Sequence, residues 1–132
     1  MSLKFMLDTD TVSLAVRGAG QVAARIVQHQ PSELCVSSLT LAELRRGVER
    51  RKSQKLDRVV SAFFKNISVV PFDEECARAF GQLATRLEAR GTPIAAFDTL
   101  IAAHALALGV TLVTNNERHF SRVPALRIEN WF

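Results

Sequence analysis

The sequence contains no tyrosine, one tryptophan and only two cysteines, with four prolines and six glycines in 132 residues. Two cysteines cannot build a disulfide framework. Cys35 and Cys76 lie far apart in apolar settings, with neither CxxC spacing nor paired histidines, so they read as reduced core residues and not as disulfide or zinc partners. Nothing in the chain reads as a linker or a low-complexity tract. Long hydrophobic runs are also missing. Apolar stretches are broken by polar or charged residues well short of the roughly 18 that cross a bilayer, and the N-terminus lacks a basic segment followed by a long apolar one. The expectation is a soluble, cytoplasmic protein with one domain over residues 1–132, large enough to bury its own core.

What is present is a 48% hydrophobic composition and a net charge of +4. The positive charge concentrates in "ELRRGVERRKSQKLDR", where Arg45, Arg46, Arg50, Arg51, Lys52, Lys55 and Arg58 crowd together. Such a cluster suits nucleic acid or an acidic protein, and equally suits a solvated helix face with no partner.

The periodicity alternates. "LKFML", "LCVSS", "ISVVPF" and "VTLVT" read as strands, with a short last one in "LRIENWF". Between them "TVSLAVRG", "QVAARIVQHQ", "TLAELRRGVERR", "KLDRVVSAFFKN", "DEECARAFGQLATRLEARG" and "FDTLIAAHALALG" read as helices. The last is apolar nearly all round and is expected to be buried. Strands separated by helices imply an α/β fold, a parallel sheet with helices on both faces.

In such sheets the functional crevice lies beyond the C-terminal ends of the strands. Asp8, Glu43, Asp98 and the Asn115-Asn116-Glu117 group fall there. Taken singly, each has a structural explanation: Asp10 and Asp98 can cap helices, Glu43 can pair with Thr40 in a capping box, and Asn115 can sit in a turn. Together they would repel unless a cation lay among them. An oxygen-rich cluster without cysteine suits Mg2+ or Mn2+, which can activate water and stabilise charge on a phosphate. Arg46 and Arg50, on roughly the face that carries Glu43, would then meet phosphate. Metal-dependent phosphodiester hydrolysis follows as the working hypothesis.

The order "FMLDTD", "SSLTLAELRRG", "GTPIAAFDTLIAAHALALG", "LVTNNERHF" resembles the PIN domain, specifically the VapC type of toxin ribonuclease, over essentially the whole chain. The resemblance implies a three-layer PIN-like fold and a homodimeric Mg2+-dependent endoribonuclease. It also implies a tRNA or other structured RNA as substrate, and a small VapB-like antitoxin whose C-terminal segment crosses the catalytic groove. Carried over by motif, Asp8, Glu43 and Asp98 are the acidic site residues, with Asp8 and Asp98 the metal ligands; Thr9 and Thr114 border the site. Where many members read Thr-Asn-Asp, this chain reads Thr114-Asn115-Asn116, so an amide replaces the usual fourth carboxylate. Asn116 is then expected to orient the attacking water, Asp10 to cap the following helix, and Glu117 is the nearest acid that could turn inward to compensate.

Two rival readings remain. "FMLDTDTV" also fits the DxDx[TV] signature of haloacid-dehalogenase-like phosphatases, although the later lysine and acidic pair of that class are missing. A catalytically weakened RNA-binding remnant would use the basic helix alone. His29, His104 and His119 have a weaker claim, and His104, six residues beyond Asp98 on a helix and so off its face, is set outside the site; Trp131 and Phe132 are expected to pack against the sheet edge or a dimer partner and not to stack on a base.

Overall fold

A computed structural model describes residues 2–132. Five short strands, β1 (Phe5–Leu7), β2 (Leu34–Ser37), β3 (Ser68–Val70), β4 (Thr111–Val113) and β5 (Ile128–Glu129), form one sheet in the order β3-β2-β1-β4-β5. All neighbours are parallel. Phe5 pairs with Leu34 on one side and Thr111 on the other, so the three strands start level, β1 and β4 end together, and β2 runs one residue further to Ser37.

The strands alternate between two cores. Met6, Cys35 and Leu112 face one side, where Leu83 and Leu87 of helix α5 (Glu74–Ala89) and Ile101, Ala102 and Ala105 of helix α6 (Ala96–Leu108) cover them. Leu7, Val36 and Val113 face the other side with Val12 of helix α1 (Thr9–Val16). Leu44 of helix α3 (Ser38–Arg51), Phe63 of helix α4 (Gln54–Phe63) and Trp131 complete that layer. This is the expected α/β sandwich of a parallel sheet between two helical layers. Strands buried on both faces need continuous apolar runs, and "FML" and "LCV" provide them. Both cysteines are free and buried, as expected. Among the described residues no helix is long and apolar enough to cross a membrane.

Helix starts differ from the sequence expectation in three places, one of them α6, which opens at Ala96 after Ala95, so that Asp98 lies inside its first turn and does not cap it. Helix α1 is capped by Asp8, whose Oδ1 accepts from the Thr11 backbone N–H at 2.8 Å, and not by Asp10, which is exposed in the first turn. Helix α3 is capped by Ser37, whose hydroxyl accepts from Leu39 N–H at 3.0 Å, and not by a Thr40–Glu43 box. Strand β2 runs directly into α3, so the helix opens at Ser38, two residues before Thr40. Thr40 is then carried into the interior, fully buried, and accepts a hydrogen bond from Thr9 Oγ1 at 3.3 Å. The helix expected from "QVAARIVQHQ" is shorter, α2 (Val22–Ile26), with His29 turned to stack on Trp131 at 4.7 Å between ring centroids.

His104 of α6 is buried, with Nδ1 2.9 Å from Ser37 Oγ, so it links the helix carrying Asp98 to the cap of the helix carrying Glu43. Its placement in the core agrees with its exclusion from the site.

Candidate active site

The sheet order places the topological switch between β1 and β4: the chain winds one way from β1 through β2 to β3, then crosses back to add β4 and β5. A crevice opens there because the connections leaving β1 and β4 diverge. Asp8 follows β1, and Thr114 to Asn116 follow β4 before helix α7 (Glu117–Phe120). Helix α6 leads into β4, and Asp98 lies in its first turn; Glu43 projects from the second turn of α3.

These elements enclose a cleft of about 140 Å³ lined by Asp8, Thr9, Asp10, Glu43, Asp98 and Asn116, with Phe97, Ile101 and Phe120 as its apolar wall. All four residues taken from the sequence as catalytic therefore share one cavity. Asp10, expected only to cap a helix, also lines it.

Asp8 is 5% exposed, and burial raises its carboxyl above the usual aspartate range, opposed by hydrogen bonding from Thr114 and Thr11. Burial also raises Asp98, with His119 pulling it down and Asp10 pushing it up. Two desolvated acids that also feel a third carboxylate make a site where a cation would relieve strain in the charge distribution. Among the described residues no three acidic, histidine or cysteine side chains stand close enough to hold an ion by themselves. A hard divalent cation can be held by one or two carboxylates and complete its shell with water and substrate phosphate. The oxygen donors Asp8 and Asp98 fit such an ion.

Around this centre the loop after β4 is tightly tied. Thr114 Oγ1 accepts from Asn116 N–H at 2.9 Å, and the Asn116 amide reaches His119 Nδ1 at 2.9 Å. Glu117 does not turn inward to replace the fourth acid: its carboxylate accepts from Asn130 Nδ2 at 3.0 Å, beside the Asn115–Asn130 bond of 3.1 Å. The residue missed from the sequence is His119, whose Nδ1 stands 3.8 Å from Asp98 Oδ2. Its signal was the spacing of three from Asn116, which faces the two side chains together once a helical turn follows the loop.

Beyond Glu43 the cleft opens into a groove of about 370 Å³. Val16, Leu44, Leu56 and Val60 form its floor, and Arg17, Arg50 and Arg51 rim it. None of these three arginines is in an ion pair among the described residues, whereas Arg46 lies 3.9 Å from Glu43 and Arg45 binds Asp57 at 2.7 Å. The basic helix thus divides its charge between internal pairs and a free rim next to the acids.

Comparison with known proteins places this arrangement in a family. The PIN domain profile matches residues 5–126. The chain is 37% identical to the "tRNA(fMet)-specific endonuclease VapC" of Salmonella typhimurium over 98% of both proteins. It is 39% identical to "Ribonuclease VapC2" of Haemophilus influenzae, again over 98% of both. The solved DNA-bound VapBC of Salmonella typhimurium superimposes with a TM-score of 0.89 at 38% identity, covering 98% of this chain and 99% of that one. VapBC2 of Rickettsia felis, bound to a promoter DNA fragment, gives 0.88 at 32% identity, covering 98% and 100%. The chain belongs to the PIN domain family and, within it, to the VapC group.

Proposed function

We propose that the protein is a metal-dependent endoribonuclease toxin that hydrolyses phosphodiester bonds in tRNA or another structured RNA and is silenced by a small VapB-like antitoxin. The observation that carries the reading is the convergence of Asp8, Glu43, Asp98 and Asn116 in one cleft at the switch point of the sheet. Relatives named as ribonucleases match over the full length of the chain, and the similar solved structures are toxin and antitoxin complexes.

Asp8 and Asp98 would hold Mg2+, with Mn2+ as the alternative ion. Once bound, that ion supplies a Lewis acid for the scissile phosphate and lowers the pKa of an attacking water. The chain's own groups do the rest. Asp8 is held in place at the end of β1 by the hydrogen bond its Oδ1 accepts from Thr11 N–H, which fixes the carboxylate that would face the ion. Glu43, on the opposite wall, accepts hydrogen bonds from the water or the ribose and keeps the nucleophile on one side of phosphorus. Thr114 fixes the Asn116 backbone and His119 its side-chain amide nitrogen, so the amide oxygen can orient that water without adding charge. Arg17, Arg50 and Arg51 flank the path of the strand as it leaves the cleft and would take its phosphates. Exposed loops are the natural substrate, because a shallow cleft between helices admits an unpaired strand and not an A-form duplex.

The phosphatase alternative needs a lysine near the attacking aspartate, and no lysine lines the cleft. A remnant that only binds RNA has no use for Asp98, Glu43 and Asp10 gathered with Asp8 in one cleft, since bringing like charges together is costly.

The test is cleavage of a defined tRNA pool by pure protein with Mg2+, with EDTA, and with Asp8→Asn and Asp98→Asn run in parallel. Cleavage should require the ion and both acids, and leave 5′-phosphate and 3′-hydroxyl ends. Cleavage equal in all three proteins would reveal a contaminant, and 2′,3′-cyclic ends would exclude water as nucleophile. Co-expression with the neighbouring small reading frame should restore growth arrested by the toxin alone.

A further inference from the structure

His104 is a costly residue to bury. It is enclosed completely, and its Nε2 has no hydrogen-bond partner among the described residues. A buried nitrogen left unpaired opposes folding, and an apolar side chain of similar size would carry no such cost. The other ring nitrogen, Nδ1, is 2.9 Å from Ser37 Oγ. That hydroxyl already accepts from Leu39 N–H at 3.0 Å, so its single proton goes to Nδ1, and the imidazole proton is left on Nε2. Burial holds His104 below the usual imidazole range, against the pull of Asp73, which keeps Nδ1 an unprotonated acceptor.

The bond falls where the acids of the cleft need a common reference. Asp98 rides on α6, which packs in one core, and Glu43 rides on α3, whose Leu44 packs in the other. Apolar packing is non-directional and does not by itself fix how far one helix sits along another. Among the described residues no other hydrogen bond joins α6 to α3 or to its cap. Asp98 lies six residues before His104 and Glu43 six residues after Ser37, so each acid is about 9 Å along a stiff helix from its end of the bond. The junction is braced by Ser38 Oγ, which accepts from Phe72 N–H at 3.0 Å, and by the Phe72 ring, which stands perpendicular to the imidazole at 5.5 Å. His104 does not line the cleft, so it can act on the chemistry only through these neighbours.

We propose that His104 is a positioning residue: through Ser37 it ties the start of α3 to α6 and so fixes Glu43 against Asp98 across the cleft. This rests on the reading of Glu43 and Asp98 as members of the ribonuclease site. An unpaired buried nitrogen is then a loss of stability retained for the geometry of the site. A misplacement of about 1 Å, caused far from the chemistry, can slow a reaction by about a hundredfold, so a short rigid link between two helices is enough to matter.

The experiment compares full-length wild type, His104→Leu, His104→Asn, Ser37→Ala and the double variant Ser37→Ala/His104→Leu by thermal melts, by kcat and KM for tRNA cleavage in saturating Mg2+, and by the Glu43 and Asp98 carboxyl signals in NMR of metal-free protein. His104→Leu removes the unpaired nitrogen and should melt close to wild type, while its kcat falls by about ten- to a hundredfold. Its KM should hold, because the arginine rim that meets the RNA is untouched. His104→Asn, whose amide oxygen can stand in for Nδ1, should recover most of the rate. Ser37→Ala should lower kcat, and adding His104→Leu to it should cost little more, since both act through one bond. An unchanged kcat in His104→Leu, losses that multiply in the double variant, or a His104→Asn protein no faster than His104→Leu overturns the proposal. A His104→Leu protein that melts well below wild type makes the ring a packing group and overturns it as well. If wild type cuts no RNA, the ribonuclease reading falls by itself, and the NMR signals decide for His104: Glu43 and Asp98 shift in His104→Leu if the link positions them and stay unmoved if it does not.

Discussion

Asp8 carries two duties that substitution can separate. Its carboxylate caps α1 through the 2.8 Å bond from Thr11 N–H, and in the proposed function it is one of the two acids that would hold the metal. Asparagine keeps an oxygen acceptor at the cap but removes the charge; alanine removes both. Losing an N-cap costs about 0.5 to 2 kcal/mol, and the upper half of that range applies because Thr11 is only 2% exposed, so its N–H is left without water as well. In metal-free protein Asp8→Asn should therefore melt at or above wild type, with Asp8→Ala below Asp8→Asn by about 1 to 2 kcal/mol. The pH dependence follows from the raised carboxyl. The fold binds this proton more tightly than the unfolded chain, so ionised Asp8 destabilises the metal-free fold above its folded pKa, and the penalty disappears as pH falls through that pKa. The advantage of Asp8→Asn over wild type should shrink with acidification. Glu33, held low by Lys4, and Asp57, held low by Arg45, lose their contributions over the same descent, but they are common to both proteins and cancel in the difference. Mg2+ at about 100 times its dissociation constant should add about 2.7 kcal/mol to wild type and nothing to either variant. Thermal melts with and without the ion, beside a tRNA cleavage assay, read all of this. The reasoning fails if Asp8→Asn and Asp8→Ala melt together, or if either still cuts RNA.

Other consequences follow from the two cores. Burial pushes the Cys35 thiol up to about 12, and Cys76 is raised by burial too, so neither should react with a disulfide reagent at pH 8 before the protein unfolds. One fast thiol per chain would contradict the core placement. Trp131 is 1% exposed, stacked on His29 and edge-on to Phe5 at 5.1 Å, so Trp131→Ala should cost about 3 to 5 kcal/mol in urea unfolding. Its emission should be blue-shifted and unaltered by RNA; strong quenching on RNA addition would place it at the substrate surface instead.

The architecture was legible because each strand is an apolar run and each helix a periodic one, and because parallel winding leaves few ways to order them. The acids were legible because strand ends in such a sheet converge. Local caps were not, since "LDTD" and "SSLT" each offer several competent oxygens within four residues, and propensity alone does not choose among them. Packing chooses. Strand β2 holds its ladder through Ser37, so that hydroxyl caps α3 and Thr40 is driven inside against Thr9. Strand β1 ends at Leu7, so Asp8 caps α1 and Asp10 is left exposed on the first turn. His119 was hidden for a related reason: its nearness to Asp98 depends on the turn after Asn116, which spans four residues and carries no strong periodic signal. The Asp10 reassignment yields a reversed expectation. Without a cap to lose, Asp10→Ala should change stability by no more than about 0.5 kcal/mol, the range of surface substitutions. Yet Asp10 raises the carboxyl pKa of both Asp8 and Asp98 through repulsion, so its removal should let both ionise at lower pH. In metal-free protein the carboxyl titrations of Asp8 and Asp98, followed by NMR, should move down accordingly, with the fold unchanged in circular dichroism. A loss near 1 kcal/mol with unmoved carboxyl titrations would return Asp10 to the role of a cap.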